Sequence, residues 1–153
     1  MALRKIEAWL ERRGYSLDVK RAHKEDAVHF DERVVRLRGA ASAGVRTAIA
    51  LHECGHVLVR LQRQQRPRAV VAGRTLKQFE QARQTDRTKC ETLRTFEEEL
   101  EAWNRGERLA ARLKIGLRGA RRVQFQRVKV RCLSTYAVRL VLPSAPKPTR
   151  SVK

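Results

Sequence analysis

Residues 45–60 read VRTAIALHECGHVLVR, a stretch with a strongly apolar helical pattern. Apolar residues and histidines recur in it at helical spacing, with Ile49, His52, His56 and Val59 on one stripe. The pattern predicts a largely buried helix over about 43–65. Two histidines four residues apart on a helix lie on the same face, one turn apart. Both imidazole rings can therefore reach a single metal ion.

The pentapeptide at 52–56 has the pattern H-E-x-x-H. In zinc hydrolases with this pattern both histidines bind the metal and the glutamate acts as general base. The alternative is a chance match within a core helix. Burying these side chains without partners would cost about 1–3 kcal/mol for each unsatisfied polar group. A metal removes that cost, so we expect one Zn²⁺ held by His52 and His56, with Glu53 as the catalytic base.

Composition restricts the remaining possibilities. A chain of 153 residues with 42% hydrophobic content is long enough for one domain, which we expect to span residues 1–142. The Pro- and Lys-containing segment 143–153 is expected to be a disordered basic tail. No apolar run is long enough for a membrane span, so no membrane partner is expected. Three cysteines, an odd number, favour reduced thiols and a cytoplasmic setting, or a virion-associated one for a phage-encoded chain.

The hydrophobic pattern predicts an α+β fold that is mainly helical, with a small β-hairpin or sheet beside the motif helix and a second helix that carries a ligand. Secondary structure is predicted as follows: helix 3–13, strand 15–19, hairpin 27–39, a short apolar stretch 69–73, helix 76–83, loop 84–91, helix 91–113, and helix rather than strand over 123–142.

A catalytic zinc normally has three protein ligands, and no histidine follows His56. The later candidates are Glu80, Asp86, Cys90, Glu91, Glu97, Glu98, Glu99, Glu101, Glu107 and Cys132. Four of these glutamates lie within 97–101, in the middle of the long predicted helix. Leu93, Phe96, Leu100, Trp103 and Ala110 are expected to mark its buried side. We expect one glutamate of this group to bind the metal, and the residues alone leave open which one.

The order of hairpin, H-E-x-x-H helix and later acidic helix, over about residues 25–115, resembles gluzincin-type metallopeptidases of the ImmA/IrrE kind and small phage zincin-like proteins. In that family a segment of the form E-x-E-A supplies the third ligand. The matching residues are 99–102, Glu-Leu-Glu-Ala. The resemblance implies a zincin-like domain in which Glu101 is the third ligand, with Glu98 as the alternative. The basic composition departs from the family pattern.

The net charge is +19, and no acidic residue follows Glu107. Such a charge attracts polyanions, so a nucleic acid or another polyanion is a possible partner. The residues expected to contact it are Arg118, Arg121, Arg122, Arg127, Lys129 and Arg131. The scarcity of aromatic residues, 5%, speaks against a surface that stacks single-stranded bases.

The leading functional hypothesis is a zinc metallopeptidase that acts on a protein or peptide substrate, including one bound to nucleic acid. Tyr136, His29 or an arginine could stabilise the oxyanion, and the sequence does not decide among them. The alternative is a basic nucleic-acid-binding protein, or a structural component of a virion, on a zincin scaffold without proteolytic activity. The oligomeric state is left open.

Overall fold

The computed structural model describes residues 1–66, 78 and 89–141. Within them the elements are α1 (Ala2–Glu11), β1 (Ser16–Lys20), β2 (Ala27–His29), β3 (Val34–Arg38), α2 (Ala43–Gln65), α3 (Lys89–Arg112) and α4 (Ala120–Val141). The α+β, mainly helical class is therefore confirmed. The predictions for 69–73, for 76–83 apart from residue 78, and for the tail 143–153 lie outside the described residues, as does most of the loop predicted over 84–91.

The three strands form one small sheet in the order β1-β3-β2. The predicted hairpin is confirmed, since β2 and β3 pair antiparallel, with Val28 opposite Val35. The third strand, β1, pairs parallel with β3 on its other side. Val35 and Leu37 are completely buried in the central strand. Because β3 contributes this apolar surface, the sheet packs against one side of α2.

The motif helix α2 begins after Ser42, whose hydroxyl accepts a hydrogen bond from the Val45 amide at 3.4 Å. This contact satisfies one of the amides that a helix start leaves without an intrahelical partner. Arg46 donates to the Gly39 carbonyl oxygen at 2.6 Å and ties the helix to the end of β3. The boundaries of α2 agree with the predicted range, and β2, β3, α1, α3 and α4 all pack around the helix.

The helices α2 and α3 approach each other closely at two glycines. A Cβ atom on Gly55 would collide with the carbonyl oxygen of Ala102, and one on Gly106 would collide with the carbonyl oxygen of Leu51. Each helix thus presents a glycine to the backbone of the other. This close approach brings side chains near the middle of α3 within reach of the histidines on α2.

The last helix, α4, covers part of the α2–α3 pair. Phe125 is buried and packs edge-on against Trp103, with ring centroids 5.4 Å apart. Gln124 donates to Ser42 at 3.3 Å, and Lys129 donates to Asn104 at 2.8 Å. The helix predicted for this segment is confirmed. None of the helices within the described ranges is long and apolar enough to cross a membrane.

Candidate metal centre

Three side chains from two helices converge on one point. His52 and His56 come from α2 and Glu99 comes from α3, and their ligand atoms all lie within 4.8 Å of one another. The two Nε2 atoms are 3.2 Å apart. The carboxylate of Glu99 lies 3.2 Å from His52 Nε2 and 3.7 Å from His56 Nε2. The predicted pairing of the histidines is thus present, and a glutamate joins them.

These separations fit a metal ion. Ligand atoms bonded to zinc at about 2.0–2.2 Å in a tetrahedral arrangement are themselves roughly 3.3–3.6 Å apart. The observed separations of 3.2–3.7 Å bracket that value. Two imidazole nitrogens and one carboxylate also leave a tetrahedral position for water or substrate, as in catalytic zinc sites. The group can therefore hold a metal ion.

The third member of the group differs from the residue expected from the family resemblance. The carboxylate of Glu101 lies 2.7 Å from Arg105 Nε and 3.3 Å from an Arg108 nitrogen, on a partly exposed side of α3. Glu98, the alternative, is buried and forms an ion pair with Arg63 at 3.0 Å. Glu99, and not Glu101, is the glutamate that the structure places beside the two histidines.

The cause of this difference is the orientation of α3. Ala102, Trp103 and Gly106 form its contact with α2 and are completely buried or pack directly on the α2 backbone. Glu99 lies three, four and seven residues before them, which places it on the same helix face. Glu101 lies to the side of that face. Leu93, expected on the buried side, is 47% exposed, so the predicted stripe was wrong at this position.

The ring of His52 is fixed by stacking. It lies on the indole of Trp103 with ring centroids 4.3 Å apart and an interplanar angle of 15°. Within the described part of the chain, His52 Nδ1 has no hydrogen-bond partner. Metal-binding histidines usually owe their orientation to a hydrogen bond at that second nitrogen. Here the aromatic contact holds the ring so that Nε2 points to His56 and Glu99.

Glu53 adds a buried carboxylate to the site. Its Oε1 atom lies 4.0 Å from His52 Nε2, and its side chain is 7% exposed. Burial raises the pKa of Glu53 above the usual range for a carboxyl group, while the nearby histidines oppose the shift. A carboxylate with a raised pKa in a polar cluster can accept and return a proton.

The charges of the group compensate one another. Burial alone would raise the pKa of Glu99, but hydrogen bonds from His52 and His56 outweigh it and hold that pKa well below the usual range. Burial alone would lower the pKa of His56, but its contacts with Glu99 raise it to about 9. The carboxylate of Glu99 and the imidazole of His56 therefore stabilise each other's charged forms. A divalent cation can replace the proton that the His56 ring carries.

Cys54 lies inside the H-E-x-x-H motif, but it is completely buried and belongs to the hydrophobic core. His29 lies on the sheet, 3.5 Å from an Arg36 nitrogen, and Tyr136 is half-buried on α4. Glu80 and Asp86 lie outside the described residues, and Glu97 is exposed.

The basic residues predicted to bind a polyanion lie on or just before α4. Five of them are exposed: Arg118, Arg121, Arg122, Arg127 and Arg131. Lys129 is half-buried and donates to Asn104. Glu107 on α3 forms an ion pair with Arg122 at 3.9 Å. The arginines therefore form a positively charged helix surface.

Comparison with known proteins gives no independent assignment. The chain matches no protein-family model, no curated protein and no solved structure. The arrangement of the side chains is therefore the basis for any functional assignment.

Proposed function

We propose that this chain is a zinc-dependent metallopeptidase in which His52, His56 and Glu99 bind the metal. The observation that supports this most strongly is the convergence of the three ligand atoms within 4.8 Å, beside the buried carboxylate of Glu53. Imidazole and carboxylate ligands with an open position suit a catalytic zinc. When bound, zinc lowers the pKa of water toward about 7 and polarises a substrate carbonyl group.

Glu53 is the general base in this proposal. Its carboxylate accepts a proton from the water that attacks the peptide carbonyl carbon, and then delivers that proton to the departing amine nitrogen. The raised pKa suits both steps, because a carboxyl group that holds a proton too weakly cannot return it. The adjacent position of Glu53 and His52 on α2 keeps this carboxylate beside the metal ligands.

The proposed substrate is a protein or peptide that binds in an extended conformation. The described sheet has β2 as an outer strand, and this strand packs against α2. An outer strand can pair its backbone with an extended peptide, which then runs alongside the helix that carries the ligands. This arrangement would bring a scissile peptide bond to the metal centre without a deep pocket.

The substitution Glu53→Gln separates metal binding from catalysis. We expect the variant to retain zinc, because Glu53 is not a ligand, and to lose cleavage of an unfolded protein substrate by about 10²–10⁴-fold, the usual contribution of a general base. Cleavage is measured by mass spectrometry of the products formed from reduced, denatured casein. Glu97→Gln is the control, since Glu97 is an exposed glutamate two residues from Glu99.

Two results would contradict this assignment. Equal cleavage by wild type and Glu53→Gln would show that the activity comes from elsewhere, such as a contaminating peptidase. Zinc binding by the wild type without cleavage of any protein in a broad substrate set would favour a metal that only stabilises the fold. The second result would support a structural role, including one in a virion.

A second candidate function is binding of a nucleic acid or another polyanion through α4. The observation that favours it is the exposed arginine surface of that helix, in a segment where no acidic residue follows Glu107. This function is compatible with peptidase activity, because the arginines are distinct from the ligands and from Glu53. A peptidase that acts on proteins bound to nucleic acid would use both sites.

A further inference from the structure

A buried ion pair joins α2 and α3 one residue before the proposed ligand Glu99. Arg63, near the end of α2, is 1% exposed, and Glu98 on α3 is 7% exposed. Arg63 donates from Nη2 to Glu98 Oε2 at 3.0 Å. Glu98 immediately precedes the ligand Glu99, and Arg63 lies seven residues, or about two helical turns, after the ligand His56.

Stability alone does not account for such a pair. Replacing a buried ion pair by apolar side chains of similar volume is often neutral, or stabilising by about 1–4 kcal/mol, because removing two charges from water is costly. A charged pair does, however, define one relative position of two helices. Apolar side chains can exchange partners when helices slide, whereas a buried charge that loses its partner is strongly penalised.

The backbones of α2 and α3 approach closely at Gly55 and Gly106, where neither glycine places a side chain between the helices. A shift of one helical turn would displace α3 by about 5.4 Å along its axis. Since the ligand atoms lie within 4.8 Å of one another, that displacement would remove Glu99 from the histidines.

We propose that Arg63 and Glu98 are positioning residues that fix the register of α3 on α2 and so hold Glu99 against the two histidines. The inference rests on the proposed metal centre but assigns a separate role to residues that do not touch the metal. The pair acts on Glu99 through the helix backbone, because Glu98 and Glu99 point to adjacent sides of the same turn.

The test is the double substitution Arg63→Met with Glu98→Leu, which replaces the two charged side chains by apolar ones of similar volume. We expect the melting temperature to be equal to or above that of the wild type. We expect zinc affinity, measured by competition with a chromophoric chelator, to fall by about tenfold or more, as for other residues that orient metal ligands. A stable variant with unchanged zinc affinity would overturn the proposal.

A second measurement needs no metal. His52 stacks on Trp103 across the same helix pair, so the indole ring current shifts the His52 ring protons upfield in the NMR spectrum. The double variant is expected to lose part of this shift, because a change of register separates the rings. A His52 spectrum identical to that of the wild type would contradict the proposed role even if the wild type itself bound no zinc.

The control replaces another interhelical ion pair in the same way. Glu107→Leu with Arg122→Met removes the 3.9 Å pair between α3 and α4, whose side chains are much more exposed. This control should retain both zinc affinity and the His52 shift. A fall in zinc affinity equal to that of the Arg63 and Glu98 variant would show a general effect of charge removal and would overturn the proposal.

Glu98→Asp provides a milder substitution if the double variant does not fold. It keeps the charge and shortens the side chain by one methylene group, so the contact with Arg63 is weakened unless Arg63 or α3 moves. We expect a smaller loss of zinc affinity than in the double variant and a partial change of the His52 shift. Wild-type values for both quantities would contradict the proposal.

Discussion

Glu99 lies at the histidines because its neighbours three and four positions later pack against α2. Ala102 and Trp103 are completely buried, and a side chain one turn earlier on the same face must also point to α2. Glu101 lies to one side, where Arg105 and Arg108 neutralise its charge. The three glutamates therefore make different contacts: Glu98 pairs with Arg63, Glu99 contacts the histidines, and Glu101 pairs with arginines of its own helix.

The choice of Glu99 could have been made from the sequence with a better estimate of the buried face. Small residues at 102, 106 and 110 and the tryptophan at 103 mark a close helix contact, and Glu99 precedes them at helical spacing. The expectation instead included Leu93, which is 47% exposed, and followed the family segment to Glu101. The histidines and Glu53 were predictable because their spacing lies within one helix.

Cys54 is expected to be chemically inert despite its place inside the metal motif. Its side chain is completely buried, and burial, together with the nearby charge of Glu53, raises the pKa of the thiol well above its usual range. Because the thiolate is the reactive form, native protein at pH 8 should leave Cys54 unmodified by iodoacetamide. Peptide mass spectrometry checks this, with urea-unfolded protein as the control in which Cys54 is labelled. Rapid labelling in the native state would contradict the buried position.

At the scale of elements, the close approach of α2 and α3 depends on Gly106. The substitution Gly106→Ala adds a Cβ atom against the Leu51 carbonyl, so the helices must separate. We expect a loss of about 1–3 kcal/mol in the free energy of unfolding, as for other overpacked sites. Zinc affinity should fall too, because the separation moves Glu99 away from the histidines. Urea unfolding and chelator competition measure the two effects.

Gly116→Ala is the matched control. A Cβ atom on Gly116 would meet nothing within 4 Å, so this substitution should change the unfolding free energy by no more than about 0.5 kcal/mol. If Gly106→Ala behaved like Gly116→Ala, the two helices would not be held as closely as the structure indicates.

The secondary structure was largely predictable, since long amphipathic segments and the paired β-prone runs carry strong local signals. The parallel pairing of β1 with β3 was not expected, because the hydrophobic pattern of a short segment does not indicate which distant segment it pairs with. The same is true of the Arg63–Glu98 pair, which joins residues 35 positions apart. Alternation and helical spacing reveal which face of an element is buried, but not which element covers it.

Charge is distributed unevenly along the chain. Acidic residues concentrate near the proposed metal centre, at 97–101, whereas the segment after Glu107 is entirely basic or neutral. The net charge of +19 creates a positive electrostatic potential that attracts polyanions. The exposed arginines of α4 are well placed to contribute to that field.

We expect the protein to bind duplex DNA in a salt-dependent manner, with α4 supplying part of the contacts. Replacing Arg122, Arg127 and Arg131 by glutamine should reduce the slope of log affinity against log salt by about 2–3, since each phosphate contact contributes about 0.9. Fluorescence anisotropy of a labelled duplex over a range of salt concentrations measures this slope.

The control variant removes the same charge from another surface. Arg4, Arg12 and Arg21 are exposed residues outside α4, and their replacement by glutamine lowers the net charge equally. This variant should change the slope less than the α4 variant does. Equal effects would show that affinity follows net charge alone and would remove α4 as a specific contact surface.

The most direct test of the metal centre is the zinc content of the purified chain, measured by elemental mass spectrometry beside Glu99→Gln and Glu101→Gln. We expect about one zinc per chain in the wild type and in Glu101→Gln. Glu99→Gln should lose most of it during dialysis against a weak chelator, because a neutral amide is a poorer zinc ligand than a carboxylate. Zinc retained in Glu99→Gln but lost in Glu101→Gln, or no zinc in the wild type after zinc is supplied, would contradict the proposed centre.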